Sequence, residues 1–142
     1  MEIKRINNET FIEFLEPYRE RIIEYFGDDE LLEHKQSDEV NFGVYIDGTL
    51  CSVCSLVIYN MAEMSPGHGV LIGNCFTAPQ YERQGCLTAL IEYAKQIAEL
   101  LQCPLTCIAL RETSEPVFKR QGFEITSKEK VSLKYTPKSI CC

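Results

Sequence analysis

Apolar positions first recur at helical spacing between residues 10 and 26. There TFIEFLEPYRERIIEYF places Phe11, Phe14, Leu15, Tyr18, Ile22, Tyr25 and Phe26 along one side. Pro17 lacks an amide proton and is expected to kink this helix or split it in two. Before it, EIKRI (2–6) is a short strand candidate. After it, Asp28 and Asp29 open a second short helical piece, DDELLEHKQ, with His34 as a solvated surface residue. NFGVYIDGTLCSVCSLVIY (41–59) is β-rich, and Asp47-Gly48 in its middle predicts a hairpin. NMAEMSPGH (60–68) reads as a loop, and GVLIGNCFT (69–77) as a strand ended by Ala78-Pro79. GCLTALIEYAKQIAELL (85–101) has the clearest helical stripe: Leu87, Leu90, Ile91, Ala94, Ile97, Ala98 and Leu101. PLTCIALRE (104–112) predicts a buried strand. SEPVFKRQ (114–121) predicts a short helix with Pro116 in its first turn and Gly122 as its C-cap. FEITS and VSLKYT close the chain as strands.

This order, with a strand–helix–strand unit over 69–112, requires a right-handed crossover between parallel strands. The hairpin before it supplies antiparallel neighbours. The expected fold is therefore α/β, a mixed, mostly antiparallel central sheet flanked by helices on both faces. No repeat or low-complexity linker divides the 142 residues, so a single domain over 1–142 is expected.

Composition then narrows the function classes. With 45% hydrophobic and 25% charged residues, an ordinary soluble core is expected. No apolar run is long enough to span a bilayer. MEIKRINNETF lacks the apolar segment of a secretory signal, so a cytoplasmic protein without a membrane partner is expected. Acidic residues number 21 against 14 basic, a net charge of −7, which argues against nucleic acid as the partner. The acidity suits solubility, or a cationic partner such as an amine. The final strand pair offers an edge through which a homodimer could form.

Eight cysteines are many for this length, and in a cytosolic chain they should be reduced. Cys51 and Cys54 form a C-x-x-C, but within a strand positions three apart point to opposite faces and do not readily share a metal. Cys103 and Cys107 lack partners at zinc-site spacing, so no metal is expected. Cys75, Cys86 and Cys107 read as small core residues. The C-terminal KSICC lacks the cysteine position of a prenylation signal.

The turn YERQG (81–85) joins the carboxyl end of a strand to the longest helix. The first turn of a helix leaves several N–H groups without partners, and the helix dipole favours an anion there. Gly85 lets backbone approach such a ligand without a Cβ. The amides of Gln84, Gly85, Cys86, Leu87 and Thr88 are the candidate phosphate donors, with Arg83 as a mobile positive charge. A plain tight turn is the competing reading. Neither a P-loop nor a G-x-G-x-x-G dinucleotide fingerprint is present.

TAPQYERQGCLTALIEYA (77–94) resembles motif A of the GNAT N-acetyltransferase superfamily, in which a Gly-containing turn and helix cradle the pyrophosphate of acetyl-CoA. Downstream, EPVFKRQGFE (115–124) is similar to the family's late hallmark, and the resemblance covers roughly residues 42 to 126. It implies an acetyl-CoA-dependent N-acetyltransferase acting on a primary amine of a small molecule or peptide. The alternative is a non-catalytic acyl-CoA-binding or regulatory module of the same fold. By this resemblance the backbone of Cys75, Phe76 and Thr77 pairs with the pantetheine arm, and Phe118 lies at the cofactor. Three departures stand out. Glu82 occupies a position where the family prefers Gln or Arg, and Leu87 replaces a small residue. Phe118 stands where many members have a tyrosine that protonates the departing thiolate, and Phe cannot donate a proton.

Acetyl transfer requires a neutral amine, a polarised carbonyl and a positioned base. No carboxylate lies within GVLIGNCFT. The candidates for the base are Glu63 and His68 in the preceding loop and Glu112 at the end of the next strand. Asn74 either orients the substrate or braces a strand bulge.

Overall fold

Asp47 and Gly48 both adopt positive φ, 49° and 80°, the backbone that a two-residue hairpin of type I′ demands. They join β2 (Val40–Ile46) to β3 (Thr49–Asn60), as the Asp-Gly signal predicts. The computed structural model describes residues 1–33, 39–60, 68–108, 115–127 and 132–135. The remaining strands are β1 (Glu2–Ile6), β4 (His68–Thr77), β5 (Leu105–Ile108), β6 (Glu124–Ser127) and β7 (Ser132–Tyr135). They form one sheet in the order β1-β2-β3-β4-β5-β7-β6. The β4/β5 pair is parallel, with Val70 opposite Leu105 and Ile72 opposite Cys107. β1/β2, β5/β7 and β6/β7 are antiparallel. This is the mixed, mostly antiparallel α/β sheet that the sequence predicts.

Chain packing separates two compact units, one of residues 1–55 and 74–90, the other of 56–73 and 91–142. In the first, α1 (Asn8–Leu15) starts at an N-cap, Asn7, whose side chain accepts from the Thr10 amide at 2.7 Å. Pro17 acts as expected. α1 stops at Leu15, a 3-10 turn covers Glu16–Tyr18, and α2 runs from Arg19 to Phe26. α3 is a single turn, Glu30–Glu33; His34 lies outside the described residues. Arg19 joins these pieces by ion pairs of 2.9 to 3.0 Å to Glu16, Asp29 and Glu33, and Glu16 foremost, with Glu33, raises its pKa.

The core of this unit gathers Phe11, Leu15, Ile22, Leu32, Val53 and Phe76. Phe76 of β4 is ringed by Phe14, Tyr18 and Tyr25, with centroids 5.5 to 6.4 Å away. Aromatic contacts at this spacing add about 0.5–1.5 kcal/mol each beyond burial. Beneath α1 runs a polar row. Ser55 Oγ donates to Asn41 Oδ1 at 2.9 Å, and Asn41 Nδ2 donates to Asn8 Oδ1 at 2.5 Å.

The second unit buries Val70, Ile72, Ile91, Ala94, Ala98, Leu105, Cys107, Phe118 and Phe123. α4 (Cys86–Leu101) ends with Gln102 at φ +51°, with Gln102 N–H on Glu99 O and Cys103 N–H on Ala98 O. This is the Schellman geometry, with glutamine at the position glycine favours. α5 (Glu115–Arg120) ends in the same way at Gly122, φ +90°, confirming the expected C-cap. Tyr135 Oη donates to Glu99 Oε1 at 2.5 Å, and Lys95 lies 4.6 Å from the Tyr135 ring centroid.

The predicted stripe on α4 needs correction at its ends. Cys86, Leu90, Ile91, Ala94 and Ala98 are buried, Leu87 and Ile97 are half-buried, and Leu101 is 49% exposed. The buried face is the predicted one, with Cys86 added at its start; the final turn leaves it, pointing Leu100 and Leu101 outward.

Candidate functional site

β4 leaves the sheet at Thr77, and the Ala78 amide holds the chain to Cys51 O at 2.9 Å. Pro79 fixes the start of a 3-10 turn, Pro79–Tyr81, closed by Tyr81 N–H on Ala78 O at 2.8 Å. Glu82 is extended, and Arg83 then takes φ +65° and Gly85 φ +84°. Ala89 N–H bonds to Gly85 O at 2.9 Å, so Gly85 is the first acceptor of α4. The amides of Cys86, Leu87 and Thr88 thus precede any acceptor within the helix and project from its N-terminus.

A Cβ built on Gly85 meets nothing within 4 Å. The positive φ is what requires glycine, and a side chain there would enter open space. That arrangement fits a diphosphate, which backbone donors and the helix dipole would hold. Arg83 and Gln84 are exposed beside it, and Gln84 Nε2 donates to Gln80 O at 3.3 Å. Leu87 and Thr88 are half-buried, and Cys86 is buried beneath the turn, where burial pushes its thiol pKa up.

Glu82 is exposed and approaches Arg21 of α2 at 4.0 Å. Its negative charge therefore lies in solvent beside a cation. Arg21 Nε donates to Tyr25 Oη at 3.2 Å, the main cause of its raised pKa. Gln80 Nε2 donates to Tyr18 Oη at 3.1 Å. The turn is thus braced from α2 and from the 3-10 break before it.

On β4, Phe76 is buried, and Cys75 and Thr77 are half-buried. Ser52 Oγ donates to Phe76 O at 3.1 Å and lies 2.8 Å from Thr77 Oγ1. Asn74 adopts φ +53°, a left-handed residue within a strand, which asparagine tolerates better than most. Its Nδ2 donates to Glu39 Oε2 at 2.8 Å. Glu39 was not a sequence candidate. It stands 35 residues from Asn74, and no local pattern connects them. With Arg5, Asn7, Asn8 and Asn41 it lines an open cleft of about 410 Å³ at the ends of β1 and β2.

Phe118 is buried edge-on against Phe123, with centroids 5.2 Å apart. Glu63 and Glu112 lie outside the described residues. His68 begins β4, and only its backbone is described. Among the described residues, no group of three or more His, Cys, Asp or Glu side chains could hold a metal ion. No helix among them is long and apolar enough to cross a membrane.

The acetyltransferase (GNAT) family model matches residues 2–123, and the chain belongs to this family. By class it is an N-acetyltransferase. A Bacillus subtilis N-acetyltransferase, YlbP, solved with coenzyme A, is 18% identical with a TM-score of 0.65, covering 96% of both chains. An Arabidopsis thaliana protein, NAA60, solved with a bisubstrate analogue, is 17% identical with a TM-score of 0.67, covering 97% of this chain and 98% of that one. A predicted acetyltransferase of Clostridium acetobutylicum, solved with acetyl-CoA, is 16% identical with a TM-score of 0.63, covering 89% of this chain and 92% of that one. At these identities the likeness shows the shared fold. No curated protein matches the chain.

Proposed function

We propose that this protein transfers an acetyl group from acetyl-CoA to a primary amine of a small molecule or peptide. The observation that carries the reading is the open turn at Gly85, with the amides of Cys86, Leu87 and Thr88 ahead of the first helical acceptor. These amides, with those of Gln84 and Gly85, hold the diphosphate, and Arg83 adds charge. The backbone of Cys75, Phe76 and Thr77 receives the pantetheine arm. Acetyl-CoA supplies the acetyl group as an activated thioester.

The acceptor must be neutral to react, so a base has to take its proton. Glu63, His68 and Glu112 remain candidates for that role. Glu39, held by Asn74 and facing the cleft beside Asn8 and Asn41, joins them as a carboxylate able to attract an ammonium ion. Phe118 offers no proton to the thiolate, which leaves unaided; a CoA thiolate is a tolerable leaving group near neutral pH. The family model's span of residues 2–123 supports a single catalytic domain over 1–142. The net charge of −7 supports an amine rather than a nucleic acid as partner.

The test is thiol release from acetyl-CoA across a panel of amines, alongside titration of CoA binding. Release with at least one amine supports the transferase. Saturable CoA binding with no release from any amine returns the non-catalytic alternative. An absence of CoA binding overturns both.

A further inference from the structure

Four thiols of the first unit, Cys51, Cys54, Cys75 and Cys86, have no part in the proposed reaction as side chains. Two of them are placed as a pair by strand register. The Ala78 amide bonds to Cys51 O, which sets Cys51 opposite Ala78 in an antiparallel ladder. The Ser52 and Thr77 hydroxyls meet at 2.8 Å, the next rung of the same register. Two rungs further, Cys54 falls opposite Cys75. Rungs alternate between hydrogen-bonded and non-hydrogen-bonded pairs. Cys51–Ala78 is of the first kind, so Cys54–Cys75 is of the second, where Cα atoms stand only about 4.5 Å apart. That lies within the roughly 4.4–6.8 Å that a disulfide spans. The side chains share one face, and the neighbouring Cys75 thiol, with burial, pushes the Cys54 thiol pKa up. Cys54 is buried, whereas Cys75 is half-buried and open to a reagent. Neither sulfur is in a disulfide in this structure.

We propose that Cys54 and Cys75 form a reversible cross-strand dithiol that closes to a disulfide under a low-molecular-weight disulfide oxidant and so weakens binding of the cofactor on β4. The chemistry balances in two exchanges. The Cys75 thiolate attacks one sulfur of the oxidant, forming a mixed disulfide and releasing one thiol. Cys54 then gives up its proton and attacks the Cys75 sulfur, and the second thiol leaves. Two protein thiols are oxidised and one small disulfide is reduced. The effect on binding rests on the reading of β4 as the pantetheine strand. The bond draws Cys75 against β3 between the left-handed Asn74 and Thr77, in the stretch that would pair with the arm. Formation of the disulfide does not depend on that reading.

The whole protein is treated with oxidised glutathione and then mapped without reduction after acid quench and alkylation. Cleavage after Glu39, Glu63 and Glu82 separates peptide 40–63, with Cys51 and Cys54, from 64–82, with Cys75. The expected result is a mass loss of about 2 Da and a crosslink between these peptides, reversed by dithiothreitol. The crosslink persists in Cys51→Ser and disappears in both Cys54→Ala and Cys75→Ser. No crosslink in the folded wild type, or one to Cys86, overturns the proposal. So does a crosslink that survives Cys54→Ala. Oxidation is also expected to raise the Kd for CoA several-fold in the wild type and to leave Cys54→Ala unchanged. If the crosslink forms and CoA affinity does not move, the regulatory part of the proposal is wrong. If reduced wild type binds no CoA at all, the functional reading fails, and the crosslink result stands separately.

Discussion

Substituting alanine at Gly85 separates a backbone cost from a binding cost. Gly85 sits at φ +84°, where a Cβ costs roughly 1–2 kcal/mol. The added methyl meets no atom within 4 Å, so no packing penalty accompanies it. Gly122 is the matched control. It has φ +90°, is equally uncrowded, and caps α5 far along the chain from the turn. Gly85→Ala and Gly122→Ala should therefore lower the unfolding free energy by similar amounts, about 1–2 kcal/mol, seen as a fall in Tm of a few degrees. Only Gly85 directly precedes the donor amides of Cys86, Leu87 and Thr88. There the loss of close approach should weaken CoA by at least about tenfold, equivalent to about 1.4 kcal/mol. Calorimetric titration with CoA and thermal melts of the three proteins give the comparison. Wild-type affinity in Gly85→Ala, or an equal loss in Gly122→Ala, would refute the assignment of the turn as the diphosphate site.

Gln102→Gly should raise stability by roughly 0.5–1 kcal/mol in a denaturant melt, because it relieves a left-handed glutamine at the end of α4. Tyr135 has its pKa raised, chiefly by the hydrogen bond to Glu99. That bond stabilises the fold fully below the ordinary tyrosine value of about 10 and is lost as pH rises through the raised value. Tyr135→Phe should accordingly lower Tm at neutral pH and flatten its alkaline decline in a melt-versus-pH series. Asn74→Gly should keep the left-handed strand residue at a cost of about 1 kcal/mol or less, whereas Asn74→Val should cost about 2 kcal/mol or more. If Glu39 attracts the acceptor amine, Asn74→Gly should raise the KM for amine more than the KM for acetyl-CoA in steady-state assays.

What could be read in the chain was local. Asp47-Gly48, Pro17, Pro116 and Gly122 each dictate backbone within a few residues, and each acts in the structure as its chemistry predicts. The turn at Gly85 and its family resemblance were legible for the same reason. Glu39 with Asn74 and Cys54 with Cys75 were not, because only the folded sheet brings them together, over 35 and 21 residues of chain. The apolar stripe of α4 was legible too, through Leu90, Ile91, Ala94 and Ala98; only its last member, Leu101, turns outward, where the helix ends. Glu82 lies beside Arg21 of α2, a contact no periodicity reports.

The hydroxyl and two carboxamides of Ser55, Asn41 and Asn8 have a consequence for how β2 and β3 find each other. In an all-apolar sheet interior, sliding β2 by one position would exchange one oily side chain for another at modest cost. Here the slide would turn Asn41 away from both neighbours and leave its amide and the Ser55 hydroxyl without partners, at about 1–3 kcal/mol apiece. The trio therefore acts as a lock on alignment: it adds little to the depth of the folded basin and makes the misaligned alternatives expensive.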